Sequence, residues 1–130
     1  MKIGRLQIGI VPTDLARSIA FYRDVLGLPY AGAVPVGEGK TLHNFAVGDA
    51  ILKLMESPGE ARPGPPTEEI DELAGFRWVT MDVDELDAMV GRCEAVGAAI
   101  PMPIVERRPG LRVAIVLDPD GNRVELVERT

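Results

Sequence analysis

Asp118-Pro119-Asp120-Gly121-Asn122-Arg123-Val124-Glu125-Leu126 is the stretch from which the rest of the chain can be read. Pro119 presets one backbone dihedral and Gly121 accepts a positive one, so the first four residues predict a tight turn. The residues after it alternate with the two-residue period of a strand, Val124 and Leu126 to one side and Glu125 to the other. The same alternation stands earlier in the chain. Ala50 to Glu56 overlays Asn122 to Glu128 at an offset of 72, which sets Leu52-Lys53-Leu54 on Val124-Glu125-Leu126. A second segment, Gln7 to Leu15, overlays Trp78 to Leu86 at an offset of 71. Two separate segments repeating at nearly one offset predict an internal duplication.

Each half then reads as strand, helix and three strands. In the first, Leu6 to Val11 is a strand ended by Pro12. Thr13 or Asp14 caps a helix in which Leu15, Ile19, Tyr22 and Leu26 recur at helical spacing, closed by Gly27. Strands follow at Pro29 to Val36, Thr41 to Val47 and Ala50 to Met55. In the second half, Phe76 to Val83 is a strand and Asp84 caps a helix carrying Leu86, Met89, Val90, Cys93 and Val96, closed by Gly97. Strands at Ile100 to Glu106, Leu111 to Leu117 and Asn122 to Val127 complete it. Between the halves, Arg62-Pro63-Gly64-Pro65-Pro66-Thr67-Glu68-Glu69 suits neither a helix interior nor a central strand. The organisation is a single domain over 1–130, with module one at 1–61, a connector at 62–72 and module two at 73–130. The fold class is α+β. A βαβββ module buries one sheet face under its helix and leaves the other without cover. Two such modules predict a curved eight-stranded mixed sheet around a cup-shaped pocket.

Composition narrows the chemistry. The 130 residues include one histidine, His43, and one cysteine, Cys93. One chain therefore cannot supply a site of two or three histidines, a zinc finger or an intrachain disulfide. Cys93 falls among the apolar positions of its helix and reads as a small core side chain. The net charge of −6, with no basic run longer than Arg107-Arg108, argues against nucleic acid and anionic membrane as partners. No stretch reaches the roughly 20 apolar residues of a membrane span. A free cysteine and an N-terminus without a signal-like apolar run make the cytoplasm the expected location. Gly37-Glu38-Gly39-Lys40 lacks the spacing of a phosphate-binding loop and reads as a hairpin tip.

Asp14-Leu15 followed by Phe21-Tyr22-Arg23-Asp24-Val25-Leu26-Gly27-Leu28 resembles the opening signature of the vicinal oxygen chelate superfamily. That group contains glyoxalase I, bleomycin resistance proteins and extradiol dioxygenases. Asp118 to Leu126 resembles its closing signature, and the repeat joins the two. The resemblance implies the glyoxalase/bleomycin resistance fold and a divalent metal in the cup, held by the first and fourth strands of each module. Carried onto this chain, the four metal positions are Gln7, Lys53, Trp78 and Glu125. Glu125 alone matches the family pattern. Gln7 offers one amide oxygen, Lys53 brings a positive charge, and Trp78 has no usable lone pair. No metal ligand and no cofactor are expected.

The expected function is metal-free binding of a small organic ligand, aromatic or antibiotic-like, in a pocket lined by Gln7, His43, Phe45, Met55, Phe76 and Trp78. Lys53 and Glu125 are the candidate acid–base pair. The alternative is a lyase, isomerase or dioxygenase-like enzyme that uses Glu125 and Lys53, or a rearranged metal site of Gln7, His43 and Glu125. A third reading is an interaction module whose cup is closed by a Lys53–Glu125 salt bridge. The resemblance also implies a homodimer.

Overall fold

The computed structural model describes residues 1–66 and 69–130. The chain divides between Pro63 and Gly64 into two compact units. That point lies inside the proline-rich segment, of which Thr67 and Glu68 fall outside the described residues. The first unit contains β1 (Gln7–Ile10), α1 (Leu15–Ile19), a π-helical segment (Ala20–Val25), β2 (Tyr30–Gly37), β3 (Lys40–Val47) and β4 (Ala50–Glu56). The second contains β5 (Trp78–Asp82), α2 (Leu86–Ala95), β6 (Met102–Arg108), β7 (Leu111–Leu117) and β8 (Arg123–Arg129).

Both units have one topology. The sheet orders are β1-β4-β3-β2 and β5-β8-β7-β6. The first and last strands of each unit run parallel, and the remaining pairs are antiparallel. Register carries the repeat to the level of single residues. Gly9 pairs with Lys53, and Thr80 pairs with Glu125, so offsets of 71 and 72 convert one pairing into the other. The α+β class with two βαβββ modules stands. Hydrogen bonding makes two sheets of four strands, however, rather than one ladder of eight. Alternation within a strand specifies which face is buried, but not whether the edges of two complete sheets pair. Pro35 and Pro103 both lie on edge strands, β2 and β6, where a missing N–H sacrifices no ladder bond.

The core follows from alternation. Leu52, Leu54 and Phe45 are buried in the first unit, beside Phe21, Tyr22 and Leu26 from the helical segment. Val124, Leu126, Ala114 and Val116 are buried in the second, beside Leu86, Val90 and Cys93. Burial pushes the Cys93 thiol pKa up, as expected of an inert core cysteine. Each fully buried large apolar side chain contributes about 1.5–3 kcal/mol.

The two helices depart from the sequence reading in informative ways. Asp14 is the N-cap of α1, its carboxylate accepting from the Arg17 N–H at 3.1 Å. Beyond Ile19 the helix widens, and Leu26 N–H donates to Phe21 C=O at 2.9 Å. That i to i−5 winding turns the adjacent Phe21 and Tyr22 both inward, edge to face with centroids 5.2 Å apart. In α2 the expected Asp84 cap is corrected. Glu85 occupies the N-cap without a side-chain bond. Instead the nearly buried Glu128 of β8 accepts the Leu86 N–H at 3.0 Å through Oε2. Its Oε1 accepts from Arg112 at 3.0 Å, and Arg112 forks onto Asp87 at 2.8 and 2.9 Å. A strand carboxylate thus satisfies the helix N-terminus from 42 residues away. At the β7–β8 turn, Asp118 accepts from the N–H groups of Asp120 and Asn122 and from the Asn122 amide, all within 2.9 Å, with Gly121 at φ +84.

Glu128→Ala removes a charged acceptor from an amide N–H and from Arg112, and should lower unfolding free energy by about 2–3 kcal/mol in urea titrations. Arg112 also holds the Asp87 pKa below its ordinary value, through their hydrogen bond first. That contribution is complete above the unfolded value near pH 4 and fades as pH falls through the lower folded value. Asp87→Asn should therefore flatten the acid side of the stability–pH curve below about pH 4.

Candidate functional site

In each module the first and fourth strands carry side chains away from the helix, and these lie on the sheet face that the helix leaves open. On the first module that face bears Gln7 and Gly9 from β1, Ile51, Lys53 and Met55 from β4, and Leu42, Asn44 and Ala46 from β3, because directly paired residues share a face. Lys53 is half-buried between the core residues Leu52 and Leu54. Among the described residues of its own module it has no ion-pair partner. On the second module the corresponding face bears Trp78 and Thr80 from β5 and Glu125 from β8. Trp78 is 52% exposed. The Thr80 hydroxyl donates to Glu125 Oε1 at 2.8 Å, which holds the carboxylate in one orientation.

Three sequence-predicted pocket residues lie elsewhere. His43 and Phe45 alternate with Asn44 and pair with Leu54 and Leu52, so they occupy the helix-covered face of the sheet, opposite Lys53. Phe45 is fully buried there. His43 Nδ1 lies 2.9 Å from the Tyr30 hydroxyl and Nε2 lies 2.8 Å from Glu56 Oε1. A ring protonated at Nε2 donates to Glu56 and accepts from Tyr30, satisfying both nitrogens. The rearranged site of Gln7, His43 and Glu125 is therefore corrected, since His43 faces away from Gln7 within one sheet. Phe76 precedes β5 and is fully exposed rather than set on a strand face. Strand parity was the signal for the first two corrections: once Lys53 is assigned outward, the β3–β4 register decides every β3 residue, and that register is not written in the sequence.

The donor chemistry of the four family positions is now explicit. Gln7 and Glu125 supply oxygens, Lys53 supplies a cation, and Trp78 supplies an indole without a free lone pair. Among the described residues, no three His, Cys, Asp or Glu side chains are grouped as metal ligands are. A shallow, open depression of about 660 Å³ adjoins the Lys53 face, lined by Gly4, Arg5, Ala46, Gly48, Asp49 and Ile51.

Fold and signatures together define the class. The chain belongs to the Glyoxalase/Bleomycin resistance protein/Dioxygenase superfamily, whose family model matches residues 3–126. It is 31% identical over 128 residues to the uncharacterized protein YaeR of Escherichia coli (strain K12), covering 94% of this chain and 93% of that protein. It is 30% identical over 91 residues to the mitochondrial methylmalonyl-CoA epimerase of Mus musculus, covering 68% of this chain and 51% of the epimerase. The chain thus matches about half the length of that relative. Among solved structures, a glyoxalase family protein from Bacillus cereus superposes with a TM-score of 0.80 at 19% identity, covering 99% of this chain and 95% of that one. That likeness is one of fold. No helix among the described residues is long and apolar enough to cross a membrane.

The opposite placement of neighbouring residues makes a clear pair of substitutions. Phe45→Ala should cost about 3–5 kcal/mol in chemical denaturation. Lys53→Met, on the open face, should change stability by less than about 1 kcal/mol.

Proposed function

We propose that this protein binds a small organic anion on the open face of its first module, without a divalent metal. The observation that carries the reading is Lys53. It stands at the fourth-strand position where the family resemblance implies a carboxylate ligand, half-buried and without an ion pair in its own module. A cation brought to about 4 Å from an ammonium meets roughly 4 kcal/mol of repulsion per unit charge at an intermediate dielectric. The same charge attracts a carboxylate or phosphate by a similar amount. On the second module's own face, exposed Trp78 offers a planar surface for an aromatic or conjugated group. The family resemblance further supports a homodimer, and the single buried thiol suits a reducing cytoplasm.

A second reading is favoured by the Thr80–Glu125 hydrogen bond. A carboxylate held in one orientation is equipped to move a proton. The similarity to a protein named as an epimerase agrees with that chemistry. Under this reading Glu125 removes or returns a proton on a ligand bound at the open face of its own module.

Three measurements separate these readings from their failure. Calorimetric titration with a panel of aromatic carboxylates, in chelator-treated protein, should show binding that Lys53→Met weakens at least about tenfold. Emission of Trp78, the sole tryptophan, should change with those aromatic members of the panel that engage the second module's face. Binding that appears only after adding nickel, zinc, iron or manganese overturns the metal-free reading. Exchange of a ligand carbon-bound proton in deuterated water, abolished by Glu125→Gln, establishes the enzymatic one.

A further inference from the structure

Across the middle of the first module's open face, three strands place three residues in one row. β1 contributes Gly9, β4 contributes Lys53 and β3 contributes Asn44, each paired directly with the next. Residues so paired stand on one face with Cβ atoms about 5 Å apart. The corresponding row of the second module is Thr80, Glu125 and Ile115. There the charged group is already satisfied by the Thr80 hydroxyl, and its other neighbour is apolar. In the first row neither condition holds. Gly9 has no side chain, and a Cβ built on it would meet nothing within 4 Å, so the space beside Lys53 is open. On the other side, Asn44 Oδ1 is the one buried side-chain atom without a hydrogen-bond partner among the described residues.

A buried amide oxygen without a donor is costly, because it has lost water and gained nothing. Asn44 stands directly across the ladder from Lys53, whose ammonium has no ion pair within its own module. The row therefore presents a cation with unfilled space on its β1 side and a hydrogen-bond acceptor on its β3 side. We infer that this row recognises a carboxylate with a hydrogen-bond donor on the adjacent carbon, that is, a 2-hydroxy or 2-amido acid. The carboxylate accepts from Lys53 Nζ, and the hydroxyl or N–H of the ligand donates to Asn44 Oδ1. The rest of the ligand extends into the depression beside Arg5. Its Ala46–Ile51 pair lies two residues further along the same face and supplies an apolar floor. This deepens the anion-binding reading and rests on it.

The test pairs two acids that differ only in the donor: 2-hydroxy-3-phenylpropanoate and 3-phenylpropanoate, titrated calorimetrically into the full chain at equal ionic strength. The hydroxy acid should bind wild type about tenfold more tightly, the discrimination expected when one partner leaves a polar site unpaired. Asn44→Leu should bring the two acids within about twofold by weakening the hydroxy acid alone, and Asn44→Ala should do the same. Lys53→Met should weaken both. A measurement on wild type removes any dependence on the variants folding. The Asn44 side-chain amide resonances should shift with the hydroxy acid and stay in place with 3-phenylpropanoate. Equal affinities on wild type, a preference retained by both Asn44 variants, or no response of the Asn44 amide overturns the assignment of Asn44 while leaving anion binding at Lys53 standing. Failure of wild type to bind either acid overturns the assignment as well. Affinities for both acids unchanged by Lys53→Met overturn the anion-binding reading itself.

Discussion

Burial of Leu52 and Leu54 in one module, and of Val124 and Leu126 in the other, is the constraint to which the remaining features answer. These pairs lie at the centres of their sheets, each on the last strand of its module, flanked by a parallel and an antiparallel neighbour. With a side-chain period of two, a slip of one residue would move leucines to the open face and a charge into the core. Register is therefore strongly specified in both sheets. Lys53 and Glu125, the residues in between, have no choice of side. The open face is, in this sense, a by-product of how the core is packed.

The second sheet is also tied to its helix by charge. Glu128 accepts from the first residue of α2 and from Arg112, and Arg112 in turn forks onto Asp87. The hydrogen bond to Asp87 raises the Arg112 pKa above its ordinary value. One strand-borne carboxylate thus does what a local cap does in α1, where Asp14 accepts from Arg17. The duplicated modules solve the same problem, an N-terminus with unpaired N–H groups, by a local bond in one case and by a contact between distant segments in the other.

Duplication also lets the two open faces diverge while the frame stays the same. Gly9, Lys53 and Asn44 stand in register where Thr80, Glu125 and Ile115 stand in the other module. Among the described residues, one row carries a cation without an ion pair and an acceptor without a donor. The other carries a carboxylate already held by a hydroxyl. A shared fold does not decide what is bound, and the charge reverses between these two rows.

The sequence alone determined the two βαβββ modules, the strand and helix order, the outward position of Lys53 and Glu125, and the structural role of Cys93. All of these rest on local periodicity, turn residues or the repeat, which are properties of adjacent residues. Asp118 to Leu126 was sufficient for the β7–β8 turn because Asp118 satisfies N–H groups only two and four residues away. Tertiary structure decided the rest. It divided the strands into two sheets, and widened the first helix beyond Ile19. It also replaced the expected Asp84 cap by Glu128, and moved His43 and Phe45 to the covered face while bringing Asn44 beside Lys53. Each of these depends on which residue stands opposite which across a ladder or a packed helix. That pairing is settled by the burial of whole faces, and no single strand carries it in its own sequence.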